Sequence, residues 1–137
     1  MSNSVYHCSI VELPKIHNIA GNITAVENQI TAPFDIKRVY YLYDVPGGED
    51  RGGHAHKELQ QFIIAVSGAF DVLIDDGINK KIIHLDRPYI GLHIVSGIWR
   101  ELLNFSSGAV CLVLASHGYD EADYIRKYNQ YLTFKNK

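Results

Sequence analysis

Arg51-Gly52-Gly53-His54-Ala55-His56-Lys57-Glu58-Leu59-Gln60-Gln61-Phe62-Ile63-Ile64-Ala65-Val66-Ser67-Gly68 is the stretch from which the fold is read. In an extended segment the side chains of residues i and i+2 share a face, so His54 and His56 point one way and Ala55 the other. Gly52 and Gly53 let the chain enter in conformations that a side chain would forbid, and Phe62 to Val66 is a short apolar run with the length and composition of a buried strand. Ser67-Gly68 then ends that strand as a hairpin connection or bulge.

The same grammar continues on both sides. Upstream, Val5 to Leu13 reads as a strand stopped by Pro14, and Ile19 to Glu27 resumes extended character, which predicts an N-terminal hairpin. Ile36 to Tyr43 carries large side chains on both parities: Arg38, Tyr40 and Leu42 on one, Val39, Tyr41 and Tyr43 on the other. Downstream, Ala69 to Ile74 and Lys81 to Leu85 flank Asp75-Asp76-Gly77, a strong hairpin signal. Ile90 to Val95, Ile98 to Phe105 and the wholly apolar Ala109 to Ala115 supply further strands, the last predicted to be central and buried. The period changes near the end, where Asp120 is placed to cap one or two helical turns through Ala122, Ile125, Arg126 and Tyr128-Asn129. Many short strands with glycine turns indicate an all-β protein, a sandwich or small barrel with a short C-terminal helix, in one domain over residues 1–137.

Composition narrows the function classes. With 47% hydrophobic and 20% charged residues the 137-residue chain can bury a core, and a net charge of -2 without a basic stripe argues against nucleic acid as a partner. Two cysteines, Cys8 and Cys111, sit among strand-like residues and are expected to be reduced and buried. No apolar run reaches membrane-helix length and no signal-like segment opens the chain, so no membrane association and a cytoplasmic location are expected. The aromatic series Tyr119, Tyr124, Tyr128 and Tyr131 is expected to cover the end of the core, with ligand contact as the alternative.

Gly53, the His54-Ala55-His56 pair and Gly68 resemble the first motif of the cupins, in which a glutamate also ligates a metal. Gln61 stands in the glutamate's place. The second cupin motif falls over Val95-Ser96-Gly97-Ile98-Trp99-Arg100-Glu101-Leu102-Leu103-Asn104, where glycine and asparagine match and Arg100 replaces the third histidine ligand. A neutral amide and a permanent cation cannot complete a metal site, so no metal and no other cofactor is expected.

A more specific resemblance covers almost the whole chain. Ile36-Lys37-Arg38-Val39-Tyr40-Tyr41, Arg51 to Lys57, Asn104-Phe105-Ser106-Ser107, and Val113 to Ser116 through Tyr119 to Arg126 resemble, in order and spacing, the dTDP-4-dehydro-6-deoxyglucose 3,4-ketoisomerases. That resemblance implies a metal-free cupin jelly roll, a homodimer with an exchanged N-terminal strand, and action on a dTDP-linked 4-keto-6-deoxy sugar in deoxysugar synthesis for lipopolysaccharide or S-layer glycans.

Moving a carbonyl from C4 to C3 requires removal of the C3 proton, an enediol, and return of a proton at C4. Imidazoles suit this work, so His54 and His56 are the expected acid and base. Tyr40, Tyr41 and Arg100 are candidates to stabilise the developing enediolate, with Tyr40 the catalytic one. Arg51 and Arg38 are expected to hold the diphosphate through bidentate bonds. Gln61 and Trp99 complete the expected substrate contacts, with the core as the other place for Trp99. Arginine rather than histidine at 100 favours the gluco product, although Ala20 departs from the larger residue relatives carry there. The alternatives are a sugar-nucleotide 3,5-epimerase, a non-catalytic sugar-nucleotide binder, and a metal-dependent dioxygenase or isomerase.

Overall fold

The computed structural model describes residues 2–136, with the side chains of Arg51 and Gly52 outside that description. Twelve strands form in chain order: β1 Ser9–Glu12, β2 Ile16–Asn18, β3 Gly21–Ile23, β4 Arg38–Leu42, β5 Arg51–His56, β6 Gln61–Ser67, β7 Phe70–Asp75, β8 Lys80–Leu85, β9 Ile90–Ile94, β10 Trp99–Leu103, β11 Val110–Ala115 and β12 Tyr124–Ile125. One helix, α1 Tyr128–Lys135, closes the chain. Among the described residues the strands form two five-stranded sheets, ordered β1-β9-β6-β11-β4 and β12-β5-β10-β7-β8, plus the small hairpin β2-β3. All pairings within these sheets are antiparallel. This is the sandwich read from the strand pattern, in the jelly-roll form that the resemblance implies.

Period-two alternation decides what each face meets. Ile63 and Ala65 of β6, Val72 and Ile74 of β7, Leu92 and Ile94 of β9, and Cys111 and Val113 of β11 fill the space between the sheets, where Phe70 and Phe105 stack with centroids 5.0 Å apart. Phe62, Ile64 and Leu114 face the other way, under Val26, Phe34 and Ile36 from the segment that precedes β4. Ala55, Trp99 and Ile125 lie on the outer face of the second sheet, where Tyr128, Tyr131 and Phe134 of α1 cover them. The alternation that turns Ala55 outward is the one that turns His54 and His56 inward.

Two expectations are corrected. The first N-terminal strand does not pair with the second; β1 pairs with β9, and the hairpin lies wholly within Ile16–Ile23, turning at Ile19-Ala20. Val5–His7 is a 3-10 turn capped by the Ser4 side chain rather than the start of a strand. At the other end, Asp120 caps only a 3-10 turn, Glu121–Asp123, and Tyr124–Ile125 is a strand that pairs with His56 and Ala55 of β5. Long-range pairing there overrides the local helical pattern, and the helix begins later, at Tyr128.

The Asp-Gly turn anchors both termini. Asp76 accepts from the Ile78 and Asn79 amides at 2.9 and 2.7 Å and from the Val5 amide at 2.9 Å. Tyr128 donates to Asp75 Oδ2 at 2.7 Å, and the buried Tyr131 hydroxyl donates toward the Gly97 and Asp75 carbonyls at 2.8 and 3.0 Å. Cys111 is buried and Cys8 half-buried, both as free thiols.

Gly91 shows how tightly the sheet packs. A Cβ there would lie 2.2 Å from Phe62 Cζ, and Phe62 is itself fully buried between neighbours. Gly91→Ala should therefore lower the stability to urea by about 1–3 kcal/mol, the usual cost of overpacking. An unchanged urea midpoint would show that Phe62 can move aside.

Candidate active site

Four strands and the segment after β12 bring the polar groups together. Arg38, Tyr40 and Leu42 share the inward face of β4, and His54 of β5, Arg100 of β10, Tyr124 of β12 and Arg126 complete the walls of a cavity of about 270 Å³. Arg100 lies directly opposite His54 in the β5–β10 pairing, which is why these residues meet despite 46 positions of separation. Gly97, with φ of 77°, donates its amide to the His56 carbonyl at 2.7 Å and turns the chain into β10.

The two imidazoles are buried, their ring centroids 4.8 Å apart and their planes nearly perpendicular. Neither Nε2 has a hydrogen-bond partner among the described residues. Burial lowers the His54 pKa to about 2, helped by Arg100, by His56 and by Arg126. His56 is lowered to about 3 by burial, then by Arg100, Arg126 and Arg38. Both rings are neutral at neutral pH, each with an unpartnered nitrogen.

These shifts have a consequence for stability. With folded-state values below the ordinary imidazole value of about 6.5, the unfolded chain takes up these protons first. The stabilisation is complete above about pH 6.5 and is lost as the pH falls toward the folded-state values of about 3 and 2. Between pH 7 and pH 5 the unfolding free energy should drop by about 2 kcal/mol for each histidine. Urea titrations at the two pH values check this, and the H54N/H56N double variant should lose most of the difference.

Tyr40, Gln61 and Arg100 form a closed set of bonds beside the histidines. Gln61 Nε2 donates to the Tyr40 hydroxyl at 3.0 Å, Arg100 Nη2 donates to it at 3.2 Å, and Arg100 Nε donates to Gln61 Oε1 at 3.0 Å. With two donors already on its oxygen, Tyr40 has its own proton left to give. Burial raises its pKa, partly offset by Arg100, so the phenol stays protonated. Gln61 Oε1 is committed to Arg100, and the guanidinium is no ligand, so the four positions of a cupin metal site present only two imidazole donors.

The other predicted residues divide between the cavity and the rest of the fold. Tyr41 is on the opposite face of β4, 60% exposed and against Tyr43, so strand parity removes it from the cavity. Trp99, next to Arg100 but of opposite parity, is buried against Tyr128 and Tyr131 and donates its indole N–H to Glu101 at 3.0 Å. It also explains Gly53, where a Cβ would approach Trp99 Cζ2 to 2.9 Å. The Arg51 side chain lies outside the described residues. Arg38 stacks between the rings of Tyr40 and Tyr119, with Cζ 4.6 and 5.3 Å from their centroids. Its Nη1 is buried without a partner among the described residues.

Two wall residues are absent from the predicted site, Tyr124 having ligand contact only as its alternative reading. Tyr124 packs against both imidazoles, its ring centroid 4.3 Å from that of His56 and 5.2 Å from that of His54, and Arg126 lies over the Tyr124 ring with Cζ 4.2 Å from its centroid. The aromatic series therefore divides: Tyr128 and Tyr131 cover the core, whereas Tyr124 lines the cavity. Among the described residues the cavity walls carry three arginines and no carboxylate. Such a wall selects an anion.

Residues 6–136 match the model of the family described as FdtA: WxcM-like, C-terminal. The chain belongs to this family. It is 43% identical over 122 residues, 89% of this chain and 88% of the relative, to the TDP-4-oxo-6-deoxy-alpha-D-glucose-3,4-oxoisomerase of Aneurinibacillus thermoaerophilus. The structure of QdtA, a sugar 3,4-ketoisomerase from Thermoanaerobacterium thermosaccharolyticum in complex with TDP, superposes with a TM-score of 0.93 at 40% identity, covering 97% of each chain. That of the WlaRB TDP-quinovose 3,4-ketoisomerase from Campylobacter jejuni gives 0.87 at 48% identity, covering 92% of this chain and 97% of that one. FdtA-family membership agrees with the resemblance read from the separated motifs.

Proposed function

We propose that this protein is a TDP-sugar 3,4-ketoisomerase, converting TDP-4-keto-6-deoxyglucose to a 3-keto-6-deoxyhexose without a metal or other cofactor. One observation carries the reading: His54 lines a cavity with three arginines and a phenol that has a proton to donate, and His56 lies in ring contact behind it, both imidazoles neutral with unpartnered Nε2 atoms. An unprotonated imidazole removes the C3 proton while a donor, Tyr40 or the second imidazole, protonates the C4 oxygen. The enediol then loses the O3 proton and gains a proton at C4. Atoms and electrons balance within the sugar, so no oxidant is needed.

Arg38, Arg100 and Arg126 receive the diphosphate and the developing oxyanion, and Arg51 is proposed to join them. A bound diphosphate also offsets the positive field that holds the imidazole pKa values down, which brings them nearer the value at which one group serves as base and then acid. We assign the gluco configuration to the product, supported by Arg100 and by the 48% identity to a TDP-quinovose enzyme, quinovose being 6-deoxyglucose.

A homodimer with exchanged N-terminal segments belongs to the same proposal. Val39, Tyr41 and Tyr43 expose the outer face of edge strand β4, and Ile16, Ile19 and Ile23 are exposed on the β2–β3 hairpin. Apolar surface of this kind on an edge strand is what a second copy would cover. A cytoplasmic setting fits a nucleotide-sugar substrate, and no described helix is long and apolar enough to cross a membrane. Incubation with TDP-4-keto-6-deoxyglucose followed by NMR of the product tests the activity and its stereochemistry. The expected spectrum is that of a 3-keto sugar with an equatorial C4 hydroxyl; unchanged substrate would overturn the proposal.

A further inference from the structure

The rim of the cavity holds a carboxylate that the chemistry above does not use. Glu121 Oε1 and Oε2 accept from Arg126 Nε and Nη2 at 2.6 and 2.7 Å, and Oε2 also accepts from the Tyr119 hydroxyl at 2.6 Å. This fork occupies one edge of the guanidinium. The other edge, carrying Nη1, is not engaged by Glu121, while the Tyr124 ring holds the face of the same guanidinium. Arg126 is thus fixed in plane and in depth by two groups.

The carboxylate is itself held in place. Asp120 caps the 3-10 turn that carries Glu121 by accepting from the Ala122 amide, and the Asp123 carboxylate accepts from the Glu58 and Leu59 amides at 2.9 and 3.1 Å, tying the turn to the loop after β5. Tyr119, bonded to Glu121, also offers its ring to Arg38. Bonds from Arg126 and Tyr119 lower the Glu121 pKa to about 2, so it stays ionised throughout the neutral range. Both partners of the pair are more than half exposed, so the bridge adds little to folding stability.

We infer that Glu121 is a positioning residue: it pre-orders Arg126 over Tyr124 so that the diphosphate of the substrate meets an arginine already in its binding geometry. This rests on the nucleotide-sugar reading of the cavity. An arginine free in solution loses rotamer freedom when it clamps a phosphate, and Glu121 removes that cost beforehand. Simple charge counting gives the opposite sign, because a carboxylate beside an anion site repels the anion.

Calorimetric titration with TDP at fixed salt separates the two. Glu121→Gln should weaken TDP binding by about three- to ten-fold, the range expected when one long side chain must be ordered on binding. In an Arg126→Met background the same substitution should change the dissociation constant by less than about two-fold. Unchanged or tighter binding by E121Q overturns the inference and leaves the nucleotide reading intact, as does an equal weakening in both backgrounds, which would mark a loosened rim rather than a positioned arginine. A parent protein that binds no TDP overturns the nucleotide reading and this inference together.

Discussion

Asparagine at position 54 or 56 should cut turnover of TDP-4-keto-6-deoxyglucose by about 10²- to 10⁴-fold, the usual contribution of a positioned acid or base. Affinity for TDP should stay within a few-fold of the parent. The reason lies in how β5 is built. Its outer face is anchored by Ala55 against the helix-covered cluster with Trp99 and Ile125, so the inner face is held even when an imidazole is replaced. Asparagine retains a polar group of smaller volume but has no nitrogen that can accept a carbon-bound proton. Steady-state kinetics paired with TDP titration provides the check. Loss of TDP binding in step with turnover would make the pair ligand contacts instead of proton-transfer groups.

Arg100→Met should lower kcat by about 10²- to 10³-fold, the range seen when a preorganised stabiliser of a developing oxyanion is removed. The guanidinium orders both Tyr40 and Gln61 through its Nη2 and Nε bonds and is the second-largest cause, after burial, of the depressed histidine values. Its removal should therefore also move the titration of His54 and His56 upward, toward the ordinary imidazole range, as followed by NMR of the ring protons. Arg100→Lys keeps the charge without the fork and should recover only part of the activity. Turnover within a few-fold of the parent in R100M would remove Arg100 from the chemistry.

Much of this architecture is legible before any coordinates. His54 and His56 are read onto one face by strand parity alone, and the structure turns both inward with Ala55 outward. The Asp-Gly hairpin and the strands from Phe62 to Ala115 follow from period-two runs and turn residues. What stays hidden depends on distant partners. Tyr124 and Ile125 look helical locally, and only their pairing with His56 and Ala55 makes them a strand that brings Tyr124 and Arg126 to the cavity. Tyr40 and Tyr41 are both candidates in sequence, Tyr40 as the catalytic one, and which of them reaches the cavity follows from which face of β4 looks toward β5 and β10. The histidine pKa values are likewise a property of burial beside Arg38, Arg100 and Arg126, three residues drawn from separate parts of the chain.

In the proposed mechanism the two imidazoles remove the proton at C3 of a keto sugar and deliver one that has exchanged with solvent at C4. Incubation of the protein with TDP-4-keto-6-deoxyglucose in D₂O, followed by proton NMR of the isolated sugar, tests it most directly. The expected result is a 3-keto product with deuterium at C4 and none at C5. Deuterium at both C3 and C5 of a sugar that remains a 4-ketone would contradict it and identify 3,5-epimerase chemistry, and unchanged sugar with no deuterium at any position would leave a binding protein in place of an isomerase.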